Sequence, residues 1–535
     1  MFDYNFYFLL LVFIFEKLNL NHGNILAHFF PLYSLNLKIP RYMRFEVRNS
    51  GWFLYLVITI YLITAYYSVG FHHYDEHYQI LEFASYKLGI GHVDGLAWEF
   101  KARIRSSIQP AMALGIFKML IWLGIRDRFI WAFSLRLITS LFALLIVNRF
   151  IKSSLPEIDK EVAPFYVFAS YLLWFLPYIN VRYSSESWAG LMFMAGITII
   201  FSKSAKRSFL RYLCLGTLMG LSVLFRYQSA ILVISMLSWL YFVRHLSIKD
   251  IGIITLVVII ILIAGVVLDT WFYGERVVTI FNYFDTNIVQ GRASYYGVLP
   301  WYQYLLYIVE APLAIVGIPI LLALLALIYY DKKNVIIWTV VPFVVIHSLI
   351  PHKELRFLFQ VANLTPAVLA FGLSKANIAD IFHDKFRPVI VVGSVAINLI
   401  ALVCLSTKGA GDGRLVIAKY IHDNYAGNTV NLILDPNANP YDEIPPTDYF
   451  YKNYSVAIFP ITLEGSKNLL MYKLDGFTNL LAVYDNSSNN PAIKTLIDSG
   501  KLKKLKTSVP WVCVPMIKLY DKTLASKIIT LYEFK

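Results

Sequence analysis

The chain has 535 residues, of which 58% are hydrophobic and only 15% are charged. A soluble domain carries about 25% charged residues, so the composition excludes a soluble enzyme, and a disordered chain would be far less hydrophobic. Three cysteines are too few for a disulfide framework. The net charge of +14 accompanies long apolar runs, so we assign it to cytoplasmic loops and not to a nucleic-acid partner. These features predict a mainly α multi-pass membrane protein.

The N-terminal segment 1–42 is treated as an extension without an assigned role. Residues 5–15 are apolar but too short for a comfortable membrane span, and Met43 offers an alternative start for a shorter chain. The membrane domain is therefore set at 43–406.

Eleven apolar runs in this domain are read as membrane helices, which need about 17–25 residues. They are 52–69, 129–147, 163–179, 187–202, 209–225, 228–243, 251–268, 303–329, 335–350, 357–375 and 387–406. With Arg41, Arg44 and Arg48 inside, every predicted inside loop is basic, as the positive-inside rule requires. The run 111–123 is short and fits an interfacial or re-entrant helix; if it crosses, another boundary fails.

This order leaves five polar segments on the non-cytoplasmic face. They are the loops 70–128, 180–186, 270–302 and 351–356, and the tail 407–535. The tail is predicted to form a small soluble α/β domain, because strand-like runs alternate with helical stretches. The predicted strands are 429–434, 455–460, 480–484 and 508–514, and the predicted helices are 413–425 and 490–500.

Acidic residues follow the first span immediately, at Asp75, Glu76 and Glu82. Asp75 either caps a helix over 76–88 or serves as a catalytic base for a sugar hydroxyl at the membrane surface. Further along the same loop, Arg105 follows Trp98 and Glu99. The basic residues here either meet a lipid phosphate or snorkel at the interface beside a tryptophan belt.

Two other loops leave the same kind of choice open. Arg182, Glu186 and Arg226 lie at helix ends, where charged residues are functional candidates but also common turn residues. In the loop after the seventh span, Asp269 and several aromatic residues fit either an aromatic belt or a sugar site.

The segment 351–356 favours a function more clearly. His352, Lys353, Glu354 and Arg356 join two long apolar helices, although a simple turn would use Gly, Asn or Ser. Three cations here can neutralise a phosphate leaving group, and the glutamate can orient them.

In this order, 74–82, 268–301 and 352–357 resemble three sequence blocks of glycosyltransferase family 22. Its members are mannosyltransferases that use a polyprenyl-phosphate mannose donor. The first block here carries Tyr74 where the family usually has Pro, and the third reads His-Lys-Glu-Leu-Arg-Phe. The resemblance is closest to the branch that adds the third mannose in glycosylphosphatidylinositol (GPI) anchor assembly.

The resemblance implies the large multi-span GT-C type fold, with the catalytic site on the non-cytoplasmic side. The apolar runs give this fold about 11 transmembrane helices and place the C-terminal α/β domain on the same side. The resemblance further implies an inverting α-mannosyltransferase that moves mannose from polyprenyl (dolichol) phosphate mannose to a glycan or glycolipid. Neither a cofactor nor a metal is implied, because a lipid phosphate is a good leaving group beside a cation.

The resemblance also implies roles by position. Asp75 would be the catalytic base, with Glu76 supporting it. The donor phosphate would be bound by Arg105, His352, Lys353 and Arg356. The residues implied to position the substrates are His77, Trp98, Glu99, Asp269, Tyr273, Tyr296, Trp301 and Glu354.

Several alternatives stay open. The same fold could use another polyprenyl-phosphate sugar, and a transporter or flippase also keeps polar residues near membrane helices. His72, His73 and His77 lie beside two carboxylates and would suit a metal site. The membrane is that of the endoplasmic reticulum in a eukaryote and the inner membrane in a bacterium.

Overall fold

The computed structural model describes residues 51–202, 208–376, 387–441, 448–452, 455–461 and 469–535. The predictions for 1–42, including the apolar run 5–15, lie outside these residues.

The described residues between 51 and 407 are mainly helical and form the helical body. Its longer helices are Gly51–Tyr67, Ile108–Trp122, Arg128–Ser154, Ala163–Leu172, Ser185–Phe201, Phe209–Phe225, Ala230–Phe242, Ile248–Tyr273, Ala314–Tyr330, Val335–Leu349, Thr365–Ala376 and Arg387–Thr407. Shorter helices are Tyr74–Glu76, Glu82–Tyr86, Trp98–Ala102, Leu176–Asn180, Thr279–Phe284, Gln303–Glu310 and Phe359–Ala362. Each predicted apolar run coincides with one helix or with a pair of helices.

Three predicted spans, 163–179, 303–329 and 357–375, are interrupted. The second breaks after Glu310, where Leu313 has a φ of 65° that a continuous helix cannot accommodate. Pro312 adds to this break because it has no backbone N–H to donate. These runs are therefore pairs of helices and not single continuous ones.

Length and composition support fewer crossings than the eleven predicted. Among the described residues, two helices are long and apolar enough to cross a bilayer, Arg128–Glu157 and Ile248–Tyr273. The bent pairs Ala314–Tyr330 with Val335–Leu349, and Leu355–Ala362 with Thr365–Lys375, bring the number to four if each pair is one span. Shorter apolar helices of 10–17 residues account for the other predicted runs, and eleven crossings are not confirmed.

A five-stranded sheet follows the helical body. Its strands are β1 (Val430–Leu434), β2 (Val456–Pro460), β3 (Thr478–Tyr484), β4 (Leu502–Thr507) and β5 (Ile529–Phe534). Their order is β2-β1-β3-β5-β4, with β1 parallel to β2 and β3, and β5 antiparallel to β3 and β4. The helices of this region are Arg414–Asn424, Pro491–Asp498, Val514–Tyr520 and Lys522–Ser526.

The predicted strand 508–514 is wrong. Pro510 and Pro515 lack the N–H groups that a ladder needs, and the chain forms helical turns from Trp511 onward. The strand in this part of the chain is β4, which ends at Thr507, just before the predicted one. It lies at the edge of the sheet and carries Lys503, Lys504 and Lys506, and lysine is common on exposed edge strands. β5 was not predicted.

The sheet region packs directly on the helical body. Phe450 and Tyr451 lie 5.5 and 4.8 Å, ring to ring, from Phe117 and Phe129, within one buried apolar cluster. Arg128 donates hydrogen bonds to the carbonyls of Tyr449 and Phe450 at 2.8 and 3.1 Å. A Cβ on Gly91 or Gly95 would come within 2.6 or 2.3 Å of the Tyr449 side chain.

Candidate active site

Five charged side chains from separate parts of the helical body meet in one place. They are Asp75, Arg105, Glu186, Arg226 and Arg356, which we call the acid–arginine cluster. Asp75 and Glu186 lie in the first turns of their helices, and Arg226 directly follows the helix Phe209–Phe225. Helix ends leave backbone groups unsatisfied and face the polar boundary of a membrane domain, so charged residues collect there.

Asp75 is the centre of the cluster. Its Oδ2 accepts a hydrogen bond from Arg356 Nη1 at 2.6 Å and another from Arg105 Nη2 at 3.3 Å. A third guanidinium, that of Arg226, has Nη1 at 3.9 Å from the same oxygen. One carboxylate oxygen therefore faces three cations.

Glu186 provides the second carboxylate. Its Oε1 lies 3.0 Å from Arg356 Nη1 and 3.3 Å from Arg226 Nη2. The side chain is 2% exposed, so the ion pairs are shielded from water and their geometry is well defined. Glu186 thus holds two of the three arginines beside Asp75.

A cavity that opens to solvent is lined by four members of the cluster, Asp75, Arg105, Glu186 and Arg226. Arg356 contacts the carboxylates behind the wall of the cavity. The lining residues include Asp75, Glu76, Gln79, Arg105, Glu186, Arg226, Tyr227 and Tyr283. The cavity offers acidic oxygens, guanidinium groups and aromatic rings together.

The carboxyl groups of this region differ in proton affinity. Burial alone would raise the pKa of Asp75, but Arg356 and Arg105 hold that pKa well below its usual value. Burial raises the pKa of Glu76, against the opposing charge of Arg182. Burial likewise raises the pKa of Glu99. Asp75 therefore holds its proton least tightly among these three.

The predicted segment 352–356 reaches the cluster through its glutamate. Glu354 contacts Arg356 Nε, and its other oxygen lies 2.7 Å from His352 Nε2. The hydrogen bond to Glu354 raises the pKa of His352, despite partial burial. His73 Nε2 lies 3.4 Å from Glu354, so this carboxylate links two histidines to Arg356.

Lys353 is directed elsewhere. Its Nζ donates to the carbonyls of Leu299, Ile350 and Pro351 at 3.0, 2.6 and 3.5 Å. An ammonium group has three protons, and all three are used. The contact with Leu299 joins the loop 270–302 to the segment 351–356. The Lys353 side chain is 4% exposed as a result.

Asp269 and Tyr273 act on the backbone that carries Arg105. Asp269 Oδ1 accepts from Ser107 N and Ser107 Oγ, each at 2.7 Å, and its Oδ2 accepts from Thr279 at 2.5 Å. Tyr273 donates to the carbonyl of Arg105 at 2.8 Å. Both side chains were predicted to position substrates, and their contacts are to the protein.

The aromatic residues of the loops 70–128 and 270–302 lie outside the acid–arginine cluster. Trp98 Nε1 donates to the Tyr296 hydroxyl at 2.6 Å, and Arg292 lies 4.0 Å above the Trp98 ring. Trp301 is 66% exposed. Glu99, in contrast, faces the cluster, with Oε1 at 3.8 Å from Arg105.

Glu76 and His77 have charged partners outside the acid–arginine cluster, although they follow Asp75 directly. Glu76 Oε2 lies 3.7 Å from Arg182 Nη1. His77 is fully buried beside Glu82 and Asp448. A helical turn points successive side chains in different directions, which explains the separation.

The three histidines suggested as a metal site do not come together. His72 Nδ1 lies 3.1 Å from the Tyr178 hydroxyl, and His73 contacts Glu354. Burial lowers the pKa of His72 to about 3, so this ring is neutral. Among the described residues, the group of side chains that meets metal-ligand geometry is His77, Glu82 and Asp448.

Sequence reasoning noted Glu186 and Arg226 without assigning them a site role. Their signal was a charged residue at an apolar helix end, which does not identify the partner. Asp448 was missed entirely, because nothing near it in the sequence points to a residue of the first loop.

A model of the Alg9-like mannosyltransferase family matches residues 52–425 of this chain. GPI mannosyltransferase 3 of Yarrowia lipolytica is 26% identical over 370 residues, which cover 69% of each chain. GPI mannosyltransferase 3 of Candida albicans is 25% identical over 349 residues, covering 65% of this chain and 67% of that protein.

Among solved structures, ArnT from Cupriavidus metallidurans bound to undecaprenyl phosphate matches with a TM-score of 0.48 and 9% identity. The match covers 91% of this chain and 98% of that chain.

Proposed function

Because this chain belongs to the Alg9-like mannosyltransferase family, we propose that it transfers mannose from polyprenyl (dolichol) phosphate mannose to a GPI precursor. The observation that carries this proposal is the convergence of three arginines on Asp75, which lines the cavity together with Arg105 and Arg226. A transfer from a lipid phosphate needs one base for the acceptor and cations for the leaving phosphate, and the cluster contains both.

In the proposed reaction, Asp75 accepts the proton of the acceptor hydroxyl. The freed oxygen attacks C1 of mannose from the face opposite to the phosphate. The C1–O bond to phosphate then breaks, and the lipid phosphate leaves with the bonding electron pair. The configuration inverts, so a β-linked donor gives an α-mannoside.

Arg105, Arg226 and Arg356 are the proposed phosphate ligands. A guanidinium group donates two parallel hydrogen bonds to a phosphate, which suits it to this role. In the structure these donors point to Asp75 and Glu186. Phosphate binding would weaken their hold on Asp75 and leave its oxygen free for the acceptor hydroxyl.

His352 and Glu354 are proposed to support Arg356. Glu354 fixes the Nε side of this guanidinium, and His352 fixes Glu354. Lys353 is proposed to join the loops at Leu299 and Ile350 and not to bind phosphate, because its protons are already used.

We further propose a GT-C arrangement in the endoplasmic reticulum membrane, with the membrane domain at 43–406 and the cluster on the lumenal face. The tail 407–535 would then lie in the lumen and cover the segment that carries Asp75. The contacts of Phe450 and Tyr451 with the helical body support this placement. One shared cavity for the charged groups favours an enzyme over a transporter, whose polar residues would follow a path.

The direct test is transfer by the purified full-length protein in detergent. Dolichol-phosphate mannose and a GPI precursor with two mannoses should give a product with one more mannose. Dolichol-phosphate glucose and a nucleotide-linked mannose are the matched donors, and neither should be used. Equal use of the glucose donor would change the sugar, and use of the nucleotide donor alone would overturn the donor class.

A further inference from the structure

A second cluster of ionisable groups lies outside the cavity, between the helical body and the sheet region. His77 Nε2 lies 3.0 Å from Glu82 Oε1 and 3.3 Å from Asp448 Oδ1. The three side chains are 0%, 1% and 2% exposed, respectively. Three ionisable groups in a dry interior require a compensating interaction.

A π-helical turn brings the first two ligands together. Residues 77–81 form this turn, and the backbone N–H of Glu82 donates to the carbonyl of His77. At 3.6 residues per turn, positions five apart face different sides of an α-helix, whereas the wider π turn aligns them. Single π turns are rare overall, but those that occur are often found at functional sites.

The orientation of each group is fixed from outside. Phe450 N donates to Glu82 Oε1, and Tyr451 N donates to Asp448 Oδ1, both at 2.8 Å. The His77 ring is stacked between Phe71 and Tyr451, with ring centres at 5.2 and 5.3 Å. Such outer contacts orient metal ligands in known sites.

Three atoms of the cluster have no hydrogen bond within the part of the chain that the structure describes. They are His77 Nδ1, His77 Nε2 and Glu82 Oε2. His77 Nε2 lies close to one oxygen of each carboxylate. An ion bound between His77 Nε2 and the two carboxylates would satisfy that nitrogen and Glu82.

We propose that His77, Glu82 and Asp448 bind one zinc ion that fastens the segment carrying Asp75 to the sheet region. Zinc bonds to nitrogen and oxygen are about 2.0–2.2 Å long, so tetrahedral ligands stand about 3.4 Å apart. The distances of 3.0 and 3.3 Å agree with that edge. Imidazole nitrogen and carboxylate oxygen are both zinc donors, and the two negative charges balance the ion.

The site does not depend on the proposed reaction. His77 does not line the cavity, and the ion would act as a clamp between two parts of the chain. Without an ion, the same geometry is an imidazolium held between carboxylates, and Asp448 and Glu82 raise the pKa of His77 to about 10. Metal analysis separates these two states.

The test uses the full-length protein in detergent, purified without chelators and without a histidine tag. Elemental analysis should find about one zinc per chain, and less than about a tenth in Asp448→Asn and Glu82→Gln. The amide of Asp448→Asn can still accept from Tyr451 N, so the fold is kept. Glu354→Gln removes a carboxylate outside the site and should retain the zinc.

A second measurement covers variants that fail to fold. The wild-type protein is stripped with a chelator and its thermal unfolding is followed as zinc is returned. A rise in Tm with added zinc, and a visible absorption band with cobalt in its place, are expected. The proposal would be overturned if the purified protein contained no first-row transition metal and its Tm did not change when zinc was added. Equal zinc in the wild type and in both ligand variants would overturn the ligand assignment.

Discussion

Arg356 Nη1 lies 2.6 Å from Asp75 Oδ2 and so joins the first loop of the helical body to its last. The same nitrogen lies 3.0 Å from Glu186 Oε1. Removing one partner of a buried ion pair leaves an uncompensated charge, which typically costs about 3–5 kcal/mol. Substitutions that keep shape are therefore the informative ones at this site.

Asp75→Asn should abolish most transfer activity. The amide keeps an oxygen for Arg356 but is not a base, and a general base contributes about 10²–10⁴-fold. We expect kcat to fall by about that factor in the folded variant. Tm should fall as well, because three guanidinium groups lose a counter-charge. Asp435→Asn, which alters a capping carboxylate in the sheet region, is the control. Unchanged kcat in Asp75→Asn would remove Asp75 from the base role.

Arg226→Lys should weaken donor binding. Lysine cannot keep both the contact with Glu186 and the hydrogen bond from Nε to Gln228, which is 2.7 Å long. We expect the KM for the lipid-linked donor to rise about tenfold. Arg244→Lys also changes an arginine after a helix and should have no effect. Equal donor KM values in both variants would exclude Arg226 from the phosphate site.

Lys353→Met should affect stability and not donor affinity. The half-buried carbonyls of Leu299 and Ile350 lose their donor, which typically costs about 1 kcal/mol. Thermal unfolding measures the stability, and the donor KM is compared with that of Arg356→Lys. If the donor KM rose as much as in Arg356→Lys, Lys353 would have to be reassigned as a phosphate ligand.

Asp269→Asn should displace Arg105. The two hydrogen bonds from Ser107 hold the backbone next to that arginine. Ser107→Ala removes one of them and should lower stability by about 0.5–1.5 kcal/mol. Asp269→Asn should lower kcat because Arg105 is displaced, and Ser107→Ala should show part of the same loss. If Ser107→Ala is silent while Asp269→Asn is inactive, Asp269 contacts the substrate directly.

Activity should fall as the pH rises through the folded-state pKa of His352. This pKa lies above the usual 6.5 because of the hydrogen bond to Glu354, although Arg356 opposes the shift. The imidazolium is therefore fully present below 6.5, and its contribution to stability is lost above the raised value. Glu354→Gln should move the alkaline limb of the kcat/KM profile to lower pH. A limb that stays in place would assign it to another group.

Apolar runs predicted where helices occur, because hydrophobic length is a local property of the sequence. The breaks at 173–175 and 311–313 were missed, since a long apolar run hides an interruption. In the sheet region, β1 to β3 were predicted within two residues. β4 was missed because its lysines mask the alternation that marks a buried strand.

The family motifs identified Asp75, Arg105, Glu354 and Arg356, and the structure brings these four together. The motifs could not separate them from Lys353 or Asp269, whose contacts are to the protein. That difference depends on where a side chain points, and long-range packing decides it. The partner of His77 was beyond prediction for the same reason.

The packing of Tyr449 against Gly91 and Gly95 limits which segments can be exchanged between relatives of this chain. A Cβ at either glycine would overlap the tyrosine ring. A larger residue at 95 therefore requires a smaller one at 449, whereas Gly91 also has a φ of 82° that disfavours any side chain. Chimeras that exchange the C-terminal region between relatives would need the matching first loop as well.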